Sequence, residues 1–288
     1  MKRIAERVNS GAVLVADGAW GTMLHAEGLP PGDCPELWCV DRRPLVLKVA
    51  RSYVEAGADL IKTNSFGASR FKLDVYGLAG RCSELNRAAA SISREAAGAD
   101  RHVIASIGPT GILLLMGDVS EQQLYEAFAE QAIALEQGGA DACLIETMSA
   151  LDEACIAIRA AKENTRLEVL CTFTFERNEK GEYRTMMGVG PADMARGTSE
   201  AGADVIGTNC GNGLERMIPV VSELRAAAPG KPIIVNANAG APVIRGGKTV
   251  FPDTPEAMAT LVPGVIGAGA GIVGGCCGTT PAHIAAIA

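Results

Sequence analysis

The chain has 288 residues, 48% of them hydrophobic and only 4% aromatic, with 34 glycines and a net charge of −7. That length and apolar content suit one large core, and a barrel of alternating strands and helices needs about 250 residues. The acidic charge runs along the whole chain without a basic stripe, which argues against a nucleic-acid partner.

The N-terminal stretch "MKRIAERVNSGAVLVADGAW" starts positive, but its apolar run of about five residues closes at Asp17. Such a run is too short for a signal peptide or a membrane-spanning helix, so no membrane partner and a cytoplasmic location are expected. Nine cysteines, an odd number, in a chain large enough to fold without cross-links read as free thiols in a reducing compartment.

Eight short apolar runs follow in order, at residues 12–17, 59–64, 102–109, 141–147, 168–175, 204–210, 232–238 and 271–277. Three belong to variants of one phrase, "EAGADLIKTN", "GGADACLIET" and "EAGADVIGTNC", in which a helix end and a glycine turn lead into a strand that closes in polar residues. "GAGAGIVGGCC" is a fourth copy without the Asp. Helical patterns separate the runs. In "SEQQLYEAFAEQAIALEQGG", Ser120 and Gln123 form a capping box, Leu124, Phe128, Ala132 and Leu135 share a face, and Gly138 is the stop. Thr254 and Pro255 open a later helix as N-cap and first residue. The proline-rich stretch 21–43 reads as an elaborated first loop. Alternation of this kind predicts a single-domain (β/α)8 TIM barrel over residues 1–288.

Active sites of such barrels lie at the C-terminal ends of the strands. Those ends include Asp17 and Gly18, Thr63 and Asn64, Glu146 and Thr147, Asn209 and Cys210, Asn236 to Asn238, and Cys276 with Cys277. Cys210 is placed to face Cys276 and Cys277 across the mouth. Neighbouring strand residues point to opposite faces, yet Gly274, Gly275 and Gly278 can release the backbone so that both sulfurs turn inward. Three cysteines without a fourth protein ligand suit a zinc site with an open position, and thiolates favour zinc over magnesium or manganese. A buried turn or a vicinal disulfide is the structural alternative. Cys34, Cys39, Cys82, Cys143, Cys155 and Cys171 read as small buried hydrophobes. His283 is expected on a helix surface rather than as a fourth ligand. Lys62 raises a rival reading, an imine-forming aldolase, against the plainer one of a lysine paired with carboxylates. "GAGIVG" spells part of a dinucleotide fingerprint, but it enters a strand rather than opening a helix.

Taken in order, "DGAWGTML", "TNSFGAS", "IET", "TNC", "NANAGAP" and "GGCCGTT" resemble the homocysteine S-methyltransferase family over residues 12–288. The resemblance implies a (β/α)8 barrel whose Zn2+ is bound by Cys210, Cys276 and Cys277, joined by the sulfur of homocysteine. It further implies that Asp17, Gly18 and Glu146 hold the amino-acid end, that Asn238 fills the fourth metal position without substrate, and that methionine is the product. Trp20 stands where the family often carries another apolar residue. "GGCCGTTP" and "NANAGAP" are closest to the corrinoid-dependent branch, and the chain ends at Ala288. The methyl group is therefore expected from a separate methylcorrinoid protein carrying a methylcobalamin-type cofactor. Small-molecule donors of the S-methylmethionine, S-adenosylmethionine or betaine type are the alternative, and a non-catalytic zinc barrel docking in a corrinoid complex is the alternative of another class.

Overall fold

The computed structural model covers residues 1–288, and the side chains of Arg245 and Lys248 lie outside the described residues. All eight expected strands form: β1 Leu14–Val15, β2 Leu60–Lys62, β3 His102–Ile107, β4 Ala142–Met148, β5 Glu168–Phe173, β6 Val205–Asn209, β7 Ile233–Ala237 and β8 Ile272–Gly275. Each pairs in parallel with the next in sequence from β2 to β8, and β8 pairs with β1. A parallel bridge between Ala16 and Leu60 joins β1 to β2, so the sheet is a closed (β/α)8 barrel.

Helices alternate with the strands as the patterning requires. Glu121–Gln137 opens on the capping box, with Ser120 Oγ accepting from Gln123 N and Gln123 Oε1 accepting from Ser120 N. Pro255–Ala268 opens on Thr254, whose hydroxyl accepts from Ala257 N. Gly269 ends that helix in the left-handed region and leads directly into β8, which disposes of the dinucleotide reading.

Period-two alternation divides the core into two layers. One face of the strands, including Ile61, Val103, Cys143, Val169, Ile206 and Val235, packs against the helices. The other face fills the barrel with Leu14, Leu60, Ile104, Leu144, Leu170 and Ile234. One step further along the same face, apolar residues give way to polar ones: Leu60 is followed by Lys62, Ile104 by Ser106, Leu144 by Glu146, Leu170 by Thr172 and Ile234 by Asn236. The lumen is apolar at mid-barrel and polar at its mouth.

Several elements lie outside the expected pattern: the first loop carries short helices at Gly21–Ala26 and Trp38–Asp41, and Arg70–Asp74 forms another after β2. Helix Ile4–Asn9 plugs the floor, with Ile4 fully buried among the lumen residues. Two antiparallel hairpins, Glu176–Arg177 with Tyr183–Arg184 and Val243–Arg245 with Lys248–Val250, extend the loops after β5 and β7. Among the described residues, no helix is long and apolar enough to cross a membrane.

Candidate functional site

The thiols converge. The Sγ atoms of Cys210, Cys276 and Cys277 all lie within 4.8 Å of one another, with Cys210 and Cys277 3.9 Å apart. Strand β8 ends at Gly275, so both later cysteines sit on non-strand backbone. Cys276 N donates to Ala237 O at 2.7 Å, and Cys277 O accepts from Ala239 N at 3.1 Å, which ties the pair to the end of β7. Gly278 then turns the chain with φ of 78°, and a β-carbon there would meet the Phe251 ring at 2.2 Å. Only glycine fits this position.

Cys210 has φ of 58°, a left-handed conformation rare for a residue with a side chain. Its N–H donates to Asn236 O at 3.0 Å, which fixes the twist just past the end of β6. Hydrogen bonds from the Cys276 and Cys277 thiols hold Cys210 down to about 3, and the Asn238 amide favours its thiolate further. The cost falls on the donors: sharing a proton with Cys210 pushes Cys276 up to about 11 and Cys277 upward as well.

Glu146 lies at the same mouth. A register shift between Ile145 and Met148 marks a bulge in β4, and Thr147 next to it has φ of 64°. Asn209 clamps this bulge, accepting from Thr147 N at 2.9 Å and Thr172 Oγ1 at 2.8 Å and donating to Thr147 Oγ1 at 2.7 Å. Glu146 is 6% exposed, and its Oε1 accepts from Ser106 Oγ. Burial raises its pKa, with the Lys62 ammonium opposing.

Asp17 is fully buried. Its Oδ2 accepts from Trp20 Nε1 at 3.0 Å and Lys62 N at 2.8 Å, whereas Oδ1 has no hydrogen-bond partner. Burial pushes Asp17 up from 3.8 to about 6 against the pull of Lys62. Lys62 Nζ lies 3.5 Å from Asp17 Oδ1 and donates to Gly275 O at 3.2 Å. Burial works against this ammonium, but Asp17, Glu146 and Cys276 outweigh it and hold Lys62 above its ordinary value. An amine kept protonated is no nucleophile, so the imine-forming reading gains no support.

A cavity of about 390 Å3 opens over these groups, with Cys210, Cys276, Cys277, Glu146 and Lys62 in its polar wall and Trp20 and Phe66 in its apolar one. Asp17, Gly18 and Asn238 stand behind that lining rather than in it. Gly18 packs so tightly that a β-carbon would meet Thr279 Oγ1 at 2.7 Å and Tyr53 Oη at 2.8 Å. Asn238 is 2% exposed, and its Oδ1 lacks a partner.

A model of the family "Homocysteine S-methyltransferase" matches residues 14–288. The chain belongs to the homocysteine S-methyltransferase family. The methionine synthase of Mycobacterium tuberculosis is 33% identical over 299 residues, covering 98% of this chain and 25% of its own length. That of Mycobacterium leprae is 32% identical, covering 96% and 24%. The chain thus spans about a quarter of the length of these relatives. The metallated form of the homocysteine methyltransferase MmuM from Escherichia coli shares the fold at TM-score 0.79 and 24% identity, covering 98% of this chain and 97% of that one. Its oxidised form gives TM-score 0.74 at 26% identity, covering 96% and 94%.

Within this member of the homocysteine S-methyltransferase family, the three sulfurs fit a soft cation. Their separations suit three corners of one coordination sphere, and the Asn238 side chain, whose amide favours the Cys210 thiolate, keeps its Oδ1 without a partner. Cys34, Cys39, Cys82, Cys143 and Cys171 are buried and Cys155 is half-buried, far from this cluster in role. His283 is no part of the cluster either, but it is not on the surface as expected. At 7% exposure, its Nδ1 accepts from Thr280 N at 3.2 Å and its Nε2 lies 3.0 Å from Asp253 O, so it caps its own helix and anchors the loop after β7. Sequence reasoning missed Ser106 and Asn209 as positioning groups, although a lone Ser in the apolar strand "HVIASI" was the visible signal for the first.

Proposed function

We propose that this protein transfers a methyl group to the thiol of homocysteine, giving methionine, with Zn2+ held by Cys210, Cys276 and Cys277. The observation that carries the reading is the convergence of three sulfurs within 4.8 Å beside a buried carboxylate in one cavity at the barrel mouth. When bound, Zn2+ supplies the Lewis acidity that keeps a thiol sulfur deprotonated at neutral pH.

The chain's own groups do the rest. Glu146, aimed by the Ser106 hydroxyl, pairs with the substrate's ammonium. Asp17 holds Trp20 and the end of β2 in place, and Gly18 allows the first loop to close on Thr279. Trp20 and Phe66 keep water from the reacting sulfur while the mouth stays open to the donor. The sulfur attacks the methyl carbon in line, the bond from methyl to donor breaks, and its electron pair leaves with the donor.

The donor in this reading is a methylcorrinoid carried on protein, which rests on the motifs "GGCCGTTP" and "NANAGAP"; the similarity to the two mycobacterial methionine synthases supports methionine as the product. A small-molecule donor is the second reading; the oxidised form of MmuM, a homocysteine methyltransferase, is matched over 94% of its chain at 26% identity. The deciding experiment offers homocysteine and metal-loaded protein methylcobalamin, S-methylmethionine, S-adenosylmethionine and betaine in parallel, with methionine read by mass spectrometry. Turnover with methylcobalamin alone supports the corrinoid partner. Turnover with a sulfonium or ammonium donor replaces it, and no methionine from any donor with metal bound refutes the reading.

A further inference from the structure

Lys62 is a charged residue in a place that the barrel geometry makes expensive. It is 4% exposed, near the end of a three-residue strand whose every residue is buried. An ammonium has three donors, and Lys62 spends one, on Gly275 O at 3.2 Å. Its nearest carboxylate oxygen, Asp17 Oδ1, is 3.5 Å away and forms no hydrogen bond. A buried cation with unspent donors is costly unless an anion arrives to use them. Lys62 also lines the cavity, together with Glu146 and the three thiols.

We infer that Lys62 is the anion-binding residue of this pocket, receiving the α-carboxylate of an amino-acid thiol while Glu146 receives its α-ammonium. The inference rests on the methyl-transfer reading of the site and adds a requirement to it: the acceptor must be a zwitterion. The charges then alternate. Lys62 pairs with Asp17 Oδ1 at 3.5 Å, while the Glu146 carboxylate accepts from the Ser106 hydroxyl. A ligand ammonium on Glu146 brings the ligand's own carboxylate toward Lys62, to take the donors that Gly275 O does not use. A thiol lacking the carboxylate leaves the spare donors of Lys62 buried and unused. A thiol lacking the ammonium brings a carboxylate toward Glu146 with nothing to offset it.

The test is calorimetric binding of three thiols to the metal-loaded full chain: homocysteine, its decarboxylated analogue and its deaminated analogue. Wild-type protein should prefer homocysteine to the decarboxylated analogue by roughly tenfold or more, the usual worth of a charge-assisted hydrogen bond. Lys62→Met should abolish that preference while keeping the preference over the deaminated analogue, which reports on Glu146. Because Lys62→Met leaves Asp17 without its counter-ion, Lys62→Met/Asp17→Asn is measured alongside it, with the same result expected. A variant that keeps the wild-type preference for the carboxylate overturns the inference. So does one that loses both preferences by the same factor, since Lys62 would then be only a counter-ion for Asp17. Methionine formation by the wild-type protein scores the methyl-transfer reading separately, so failure of either idea is distinguishable from failure of the other.

Discussion

The two ends of the barrel treat buried carboxylates in opposite ways. At the floor, Glu168 is 4% exposed, and each of its oxygens accepts a backbone N–H at 2.7 Å, from Ile4 and Ala5. At the mouth, Asp17 keeps one oxygen without a hydrogen bond, and Asn236, fully buried, has no partner for either side-chain polar atom. Among the described residues, the two left-handed ones that are not glycine, Thr147 and Cys210, are also at the mouth. Buried polar groups left unsatisfied and backbone held in sparse conformations cost stability, and at the mouth the two occur together. The floor holds the barrel together; the mouth is kept ready for something else.

Substitutions at the two ends should therefore separate function from stability. The largest functional loss is expected from Cys276→Ser, which should take the protein from about one bound metal per chain to none and abolish methyl transfer. Its far-ultraviolet circular dichroism should stay that of a folded barrel; a metal-loaded, active variant would refute the site. Next in size, Glu146→Ala should weaken homocysteine binding by roughly ten- to a hundred-fold, since a buried charge-assisted hydrogen bond is lost, with metal content unchanged. Titration calorimetry with unaltered affinity would remove Glu146 from the substrate site. At the floor the pattern should reverse. Glu168→Ala should cost about 2 kcal/mol in denaturant unfolding by freeing the start of helix Ile4–Asn9, yet leave metal and homocysteine binding as in the wild type. Loss of metal with Glu168→Ala would show that the two ends are not independent.

The same contrast explains what the sequence could reveal. Strand positions and the thiol set were legible because period-two runs, glycine turns and the spelling of the strand ends are local signals. Helix Ile4–Asn9 was not, because six residues have little helical stability of their own and its first N–H groups are satisfied by Glu168, more than 160 residues away. The hairpins after β5 and β7 have strands of only two or three residues, too short for any period. His283 could be separated from the thiols by its place just after the helix-opening Thr280 and Pro281, but its burial depends on Asp253 in another loop. Lys62 was visible as a strand-end lysine. Its meaning depends on how many of its donors are spent, which only the folded barrel decides.

Asp17 offers the finest test of the contrast, because its effect should appear as a slope rather than a loss. Burial raises it from 3.8 to about 6 in the folded protein, so between these values the native state holds a proton that the unfolded chain has released. Stability linked to Asp17 is therefore fully present below about pH 4 and falls as pH rises to about 6, at no more than about 1.4 kcal/mol per pH unit. Asp17→Asn removes this titration. Its amide oxygen can still accept from Trp20 Nε1 and Lys62 N, while its amide nitrogen has to face the Lys62 ammonium. Spared the cost of an ionised carboxylate, the variant should keep more of its low-pH stability near neutral pH, and its unfolding free energy should fall less steeply than that of the wild type between pH 4 and 6. Urea unfolding at half-unit pH steps measures both. Parallel curves for the two proteins would mean that Asp17 stays ionised throughout and that Lys62 alone sustains its charge.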